Sequence, residues 1–155
     1  MLYRIYTPED FAELYAIEAA CFEPPFRFGR GYMRQLVGLS NVATWIAAED
    51  GKMAGFAIVE WTVDAGEIIA YIQTIEVIPD RRGYGIGGEL LRRIEGSARA
   101  AGAQVIWLHV DAENTSALRI YQAHGFHREG MEENYYPLGR AALIYAKPLG
   151  ATMGS

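Results

Sequence analysis

The residues of this chain best suited to chemistry lie between positions 75 and 91, where it reads IEVIPDRRGYGIGGELL. β-Branched residues that suit a strand give way at Pro79-Asp80 to the turn Arg81-Arg82-Gly83-Tyr84-Gly85-Ile86-Gly87-Gly88. Leu90, Leu91 and Ile94 then follow at helical spacing. Glycines between a strand and a helix let backbone N–H groups approach an anion with no Cβ in the way, and the helix N-terminus adds about half a positive charge. The chemistry this predicts is phosphate binding without a metal. Which phosphate, the spacing leaves open. Gly83, Gly85 and Gly88 spell G-x-G-x-x-G, with Asp111 roughly where a ribose-binding acid would stand. That fingerprint belongs in the first βα turn of a parallel sheet, whereas about 80 residues rich in hairpin signals come first here. No G-x-x-x-x-G-K-[ST] occurs, which excludes the mononucleotide P-loop. His124 and His127 straddle a helix end with no cysteine or nearby acid to complete a site, so no metal is expected.

The elements that position this turn can be read outward from it. Residues 2–6 alternate as a short strand, and Thr7-Pro8-Glu9-Asp10 starts a helix running to about Ala20, with Phe11, Leu14, Tyr15 and Ile17 as its apolar stripe. Glu23-Pro24-Pro25 ends it, residues 26–30 form a loop, and Tyr32, Leu36 and Leu39 suggest a second short helix. Strands at 42–48 and 53–63 are joined by Asp50-Gly51, and a turn at 64–66 leads into a strand at 67–78. Three antiparallel strands thus precede the glycine turn, which argues against a doubly wound sheet. After the turn a helix stops at Gly102, and a strand at 105–110 should run parallel to the one before the turn, by a right-handed crossover. Asn114 caps a helix over 115–124. Strands at about 126–131 and 141–147 then flank a turn at 135–139.

Two segments together carry a family resemblance. Arg82-x-x-Gly85-x-Gly87 is similar to the [QR]-x-x-G-x-[GA] coenzyme A pyrophosphate loop of the GNAT N-acetyltransferases. Asn114-x-x-Ala117-x-x-x-Tyr121-x-x-x-Gly125-Phe126 resembles that superfamily's second motif. Within the superfamily the chain most resembles the RimI-type branch, typified by the bacterial ribosomal-protein alanine acetyltransferases. Gly51-Lys52-Met53-Ala54, Ile75-Glu76-Val77 with Pro79, Trp107-Leu108-His109-Val110, and Asn134-Tyr135-Tyr136-Pro137 carry that likeness, which extends weakly back to Glu18 and Cys21-Phe22.

The resemblance implies one α/β (α+β) domain over 1–149. Its sheet would be mixed, mostly antiparallel and of about seven strands, with a central parallel pair splayed around the cofactor and about four helices; 150–155 would be a flexible tail. It implies acetyl-CoA as cosubstrate. The backbone of Ile75, Glu76 and Val77 would hold the acetyl group and pantetheine, and Arg82, Gly83, Tyr84, Gly85, Ile86, Gly87 and Gly88 the pyrophosphate. Asn114 would reach the pantetheine while capping its helix, and Tyr121 would protonate the departing thiolate. Relatives carry a glutamate where this chain has His109. An imidazole with a pKa near 6.5 suits a general base at neutral pH. Glu76, acting through water, is the alternative. Phe22, Tyr135 and Tyr136 would clasp the acceptor, a protein N-terminus such as that of a ribosomal protein, and Glu129, Glu132 and Glu133 would favour a cationic one. Pro24-Pro25-Phe26-Arg27 departs from the family's P-W-[ST], which leaves a small amine open as acceptor. A non-catalytic coenzyme A or dinucleotide sensor is a third reading.

Composition bounds all three. At 155 residues and 51% hydrophobic content the chain fits one domain burying roughly two-thirds of its unfolded surface. No run approaches the ~18 apolar residues of a membrane span, no secretory signal opens the chain, and the single Cys21 cannot form an internal disulfide. A cytoplasmic protein with no membrane partner is expected. A net charge of −5, with no basic run beyond two short Arg pairs, argues against nucleic acid and suits a basic acceptor.

Overall fold

A computed structural model describes residues 1–150. One seven-stranded sheet organises them, with strands β1 (Leu2–Ile5), β2 (Val42–Glu49), β3 (Lys52–Asp64), β4 (Glu67–Val77), β5 (Val105–Asp111), β6 (His127–Tyr136) and β7 (Arg140–Pro148) in the order β1-β2-β3-β4-β5-β7-β6. Only β4 and β5 pair in parallel. The helices are α1 (Phe11–Cys21), α2 (Arg30–Val37), α3 (Ile86–Ala100) and α4 (Thr115–Ala123). This is the mixed sheet with four helices expected from the resemblance. Of the expected tail, residues 151–155 lie outside the described residues.

The sheet is central because β3 is apolar on both faces, as a strand covered on both sides must be. Its Ala57 and Val59 join Leu90, Leu91 and Ile94 of α3 in one core, while Phe56 and Ile58 join Phe11, Leu14 and Ile17 of α1 and Met33 and Leu36 of α2 in another. Leu90 and Leu91 have no exposed surface, so each contributes about 1.5–3 kcal/mol.

Several boundaries differ from the sequence reading. Residues Pro8–Asp10 form a 3-10 turn, and the α-helix begins at Phe11; the Asp10 carboxylate accepts from the Thr7 N–H at 2.8 Å and from the Arg4 guanidinium at 2.7 and 2.8 Å. In α2 the buried residues are Met33 and Leu36, whereas Tyr32 is exposed and Leu39 lies past the helix end. β6 continues to Tyr136, so the turn shrinks to Pro137–Gly139, with Leu138 at φ 65°. Pairing with β7 supplies hydrogen bonds to a stretch, GMEEN, that has little strand propensity of its own.

The feature that makes a site is the separation of β4 from β5. They pair only at Ile69↔Val105, Ala70↔Ile106 and Tyr71↔Trp107. Just beyond, the β3–β4 register slips from Val59↔Ile72 to Ile58↔Thr74, so Gln73 has no opposite number. Such a bulge bends and over-twists its strand. β4 leans away with β3 while β5 stays with β7, and a V opens between them.

Candidate active site

The glycine turn lies at the open end of β4. Gly83 and Gly85 adopt φ +85° and +83°, which other residues rarely take, and a Cβ built on either would meet no atom within 4 Å. Gly85 is the N-cap of α3, whose first helical bond runs from Glu89 N–H to the Gly85 carbonyl. The amides of Ile86, Gly87 and Gly88 are therefore the helix's open donors. The Ile86 side chain is buried, so only its backbone is offered. Gly87 and Gly88 serve packing as well: a Cβ would stand 3.3 Å from Ile120 Cδ1 and 3.1 Å from the His124 ring. Tyr84 is 75% exposed. Arg82 folds back, its Nε donating to the Val77 carbonyl at 2.9 Å and its Nη2 lying 3.5 Å from Cys21 Sγ. Arg81 pairs with Glu49.

Backbone direction along β4 follows from two bonds. Ile78 N–H donates to Ala54 of the β3 side, and the Val77 carbonyl faces Arg82. Alternation then turns the polar groups of Ile75 and Val77 into the V and those of Glu76 towards β3. Of the three residues expected to hold cofactor by their backbone, Glu76 thus points elsewhere. Its side chain also departs from expectation. It is buried towards α1, accepts from Thr74 Oγ1 at 2.8 Å and lies beside the buried Glu18 carboxyl, with one oxygen of each carboxyl left without a hydrogen-bond partner among the described residues. Burial, and then the Glu18 carboxyl, push Glu76 well above the usual carboxylate range. Glu18 in turn accepts from Phe28 N–H at 2.8 Å, tying α1 to the chain that follows it.

A cavity of about 960 Å³ occupies the V and runs out between the α1–α2 connection and the β6–β7 turn. Asn114, Tyr121 and Ile75 line its inner part. The Asn114 Oδ1 accepts from Ala117 N–H at 3.1 Å, the expected cap. Tyr121 is 7% exposed and stacks edge-on against Phe126 at 5.5 Å; burial, with Tyr136 nearby, raises its phenol, which stays protonated. Across from it stands His109, its Nδ1 2.8 Å from the Tyr71 hydroxyl, its Nε2 2.8 Å from Glu132 Oε1 and its ring 4.0 Å above Tyr135. Burial raises the Tyr71 phenol as well, with the Tyr135 hydroxyl adding to the effect. At the outer mouth stand Phe22, Tyr135 and Tyr136, and Phe26 lies under the Arg140 guanidinium, which also pairs with Asp111.

Of the residues singled out in the sequence, Ile75, Asn114, Tyr121, His109, Phe22, Tyr135 and Tyr136 line this cavity, the glycine turn and Val77 lie at the end of β4, and the Glu76 side chain is buried away from it. The sequence reading missed Tyr71, whose partner His109 lies 38 positions away. The parallel register of the strands flanking α3 was the signal that could have found it, since that register sets Tyr71 beside Trp107. Among the described residues no group of three or more His, Cys, Asp or Glu is gathered as for a metal ion. No helix among them is long and apolar enough to cross a membrane.

A strand pair forced apart over a glycine-lined helix start defines an acyl-coenzyme A-binding transferase fold. The chain belongs to the acetyltransferase (GNAT) family, whose sequence pattern matches residues 8–126. The [ribosomal protein bS18]-alanine N-acetyltransferase of Escherichia coli strain K12 is 35% identical over 104 residues, which is 65% of this chain and 68% of that protein. Its Haemophilus influenzae counterpart is 30% identical over 128 residues, covering 83% and 82%. The crystal structure of the Escherichia coli ribosomal-protein-S18-alanine N-acetyltransferase superposes with a TM-score of 0.85 at 26% identity, covering 98% of this chain and 96% of that one. The protein is an N-acetyltransferase that draws its acetyl group from acetyl-CoA.

Proposed function

We propose that this enzyme acetylates the α-amino group of a protein N-terminus, by direct attack of the amine within a ternary complex. The observation that carries the reading is the groove leading out of the V. It is walled by Phe22 and Phe26 on one side and Tyr135 and Tyr136 on the other, and suits an extended peptide better than a small amine. The bS18-alanine acetyltransferases among its relatives support a ribosomal protein as acceptor, and the exposed Glu129 and Glu133 of β6 favour a cationic N-terminus. A cytoplasmic setting, consistent with the lone free Cys21, goes with it.

Bound acetyl-CoA would supply a thioester already activated for acyl transfer. The Gly83–Gly88 amides would hold its pyrophosphate, about four to six oriented donors offsetting the desolvation of two charges. The N–H groups of Ile75 and Val77 would hold pantetheine and acetyl oxygen, and Asn114, with Oδ1 committed to its cap, has its amide nitrogen for the pantetheine. Tyr121, protonated at neutral pH, would give its proton to the departing sulfur. His109, reached through Tyr71, would take the proton that the amine must lose. Glu76, raised in pKa and turned from the V, ties α1 to the sheet.

The test is incubation with acetyl-CoA and a panel of N-terminal peptides, including one beginning with alanine, beside amino acids and polyamines, with products read by mass spectrometry. Acetylation at the peptide α-amino group is expected. Turnover of the small amines with none of the peptides would overturn the proposal.

A further inference from the structure

The geometry points to Glu132 as a positioning residue that fixes the tautomer of His109, so that the Tyr71 hydroxyl, and not the imidazole, meets the acceptor amine. The inference rests on the acetyl transfer just described. His109 has two ring nitrogens and both are committed at 2.8 Å, Nδ1 to the Tyr71 hydroxyl and Nε2 to a carboxylate oxygen of Glu132. A carboxylate only accepts, so Nε2 must carry the hydrogen; Nδ1 of the neutral ring is then a lone pair that can only accept the Tyr71 proton. The His109 side chain is 8% exposed and clamped between Tyr135 on its face and Trp107 and Tyr71 on its edges, so the ring cannot swing out to the amine. Tyr71 and His109 both line the cavity, and the Tyr71 hydroxyl occupies the one ring nitrogen that can accept a proton. The other ionisable groups of the neighbouring elements are Tyr135 and Tyr136 of β6 and the cluster in which Arg140 faces both Asp111 and Glu113. Glu132 is the carboxylate in hydrogen-bond contact with the ring.

The protons balance. As the amine attacks, its proton passes to Tyr71 Oη while the Tyr71 proton passes to His109 Nδ1, giving an imidazolium whose charge the Glu132 carboxylate offsets. When product has left, the chain runs backwards and releases that proton to water in the groove. Nothing is oxidised or reduced, and Tyr121 protonates the sulfur independently.

Two measurements test this. The first is nitrogen-15 NMR of ring-labelled histidine in the protein without ligand, assigned by comparison with His109→Gln. It is expected to show His109 in the Nε2–H tautomer, and Glu132→Ala, at a half-exposed side chain on an edge strand, to introduce the Nδ1–H form. The second is the pH profile of kcat/KM. Glu132→Gln keeps an acceptor but removes the charge; it should lower kcat about 10-fold or more, leave acetyl-CoA affinity unchanged and move the acid limb to lower pH. Tyr71→Phe should remove the enzyme's own contribution to that limb, leaving only the rise that the acceptor amine imposes near pKa ~8. An Nδ1–H tautomer in the unaltered protein, or a Tyr71→Phe profile identical to the parent's, would overturn the relay. Should the enzyme prefer a small amine, the profile is taken on that amine: the acceptor assignment then fails while the relay is still decided by tautomer and limb.

Discussion

Single residues here act through what surrounds them. Tyr121 and Tyr71 are both phenols whose protons burial retains, yet one faces the inner cavity with no base beside it and the other abuts an imidazole. In the proposed transfer the first would give a proton and the second would pass one on. Tyr121→Phe removes one oxygen and keeps the ring against Phe126. It is expected to lower kcat by ~10²-fold or more, with acetyl-CoA affinity by calorimetry essentially unchanged. A fall in affinity with kcat intact would make Tyr121 a packing residue.

At the scale of elements, the site is produced by a bulge and a helix start. The slip at Gln73 sends β4 away from β5, and α3 begins beneath the opening with its amides bare. Gly55 permits this, since a Cβ there would come within 2.5 Å of the Glu76 carbonyl. Gly85 is the sharper test because its strain and its role coincide. Gly85→Val forces a branched side chain to φ +83° and fills the open space over the amides. Acetyl-CoA should bind at least ~2 kcal/mol more weakly, the scale of lost charge-assisted hydrogen bonds, while the circular dichroism spectrum stays that of a folded domain. Unchanged affinity in a folded variant would move the pyrophosphate elsewhere.

For the molecule as a whole, the buried Glu18–Glu76 pair links the function-bearing α1–α2 region to global stability. Burial holds the folded-state pKa of Glu76 above that of the unfolded chain, about 4.3. A group raised in this way contributes its full stability below the unfolded value and loses it as pH rises through the folded one. Stability should accordingly decline as pH climbs above the ordinary carboxylate range, and Glu76→Gln, which mimics the protonated form, should flatten that decline. Thermal melts across about pH 5 to 8 are the measurement. A variant whose Tm falls as steeply as the parent's would show that Glu76 ionises without cost.

How much of this was legible in the sequence depends on whether the information was local. The glycine turn, the Asn114 cap, the Asp50-Gly51 hairpin and the core stripes of α1 and α3 follow from backbone sterics and periodicity, which a few adjacent residues fix. The two motifs then determined the family, and the resemblance pointed to Tyr121 and the loop. What only the tertiary structure decided involves residues brought together by strand pairing. The parallel register sets Tyr71 near His109, the β6–β7–β5 ladder carries Glu132 to the other side of that ring, and the slip opposite Ile58 turns Glu76 towards Glu18 and out of the V. A one-residue change of register exchanges the two faces of a strand. Which of two carboxylates borders the reaction and which is sealed into the core is therefore set by pairing between distant segments, not by local spacing.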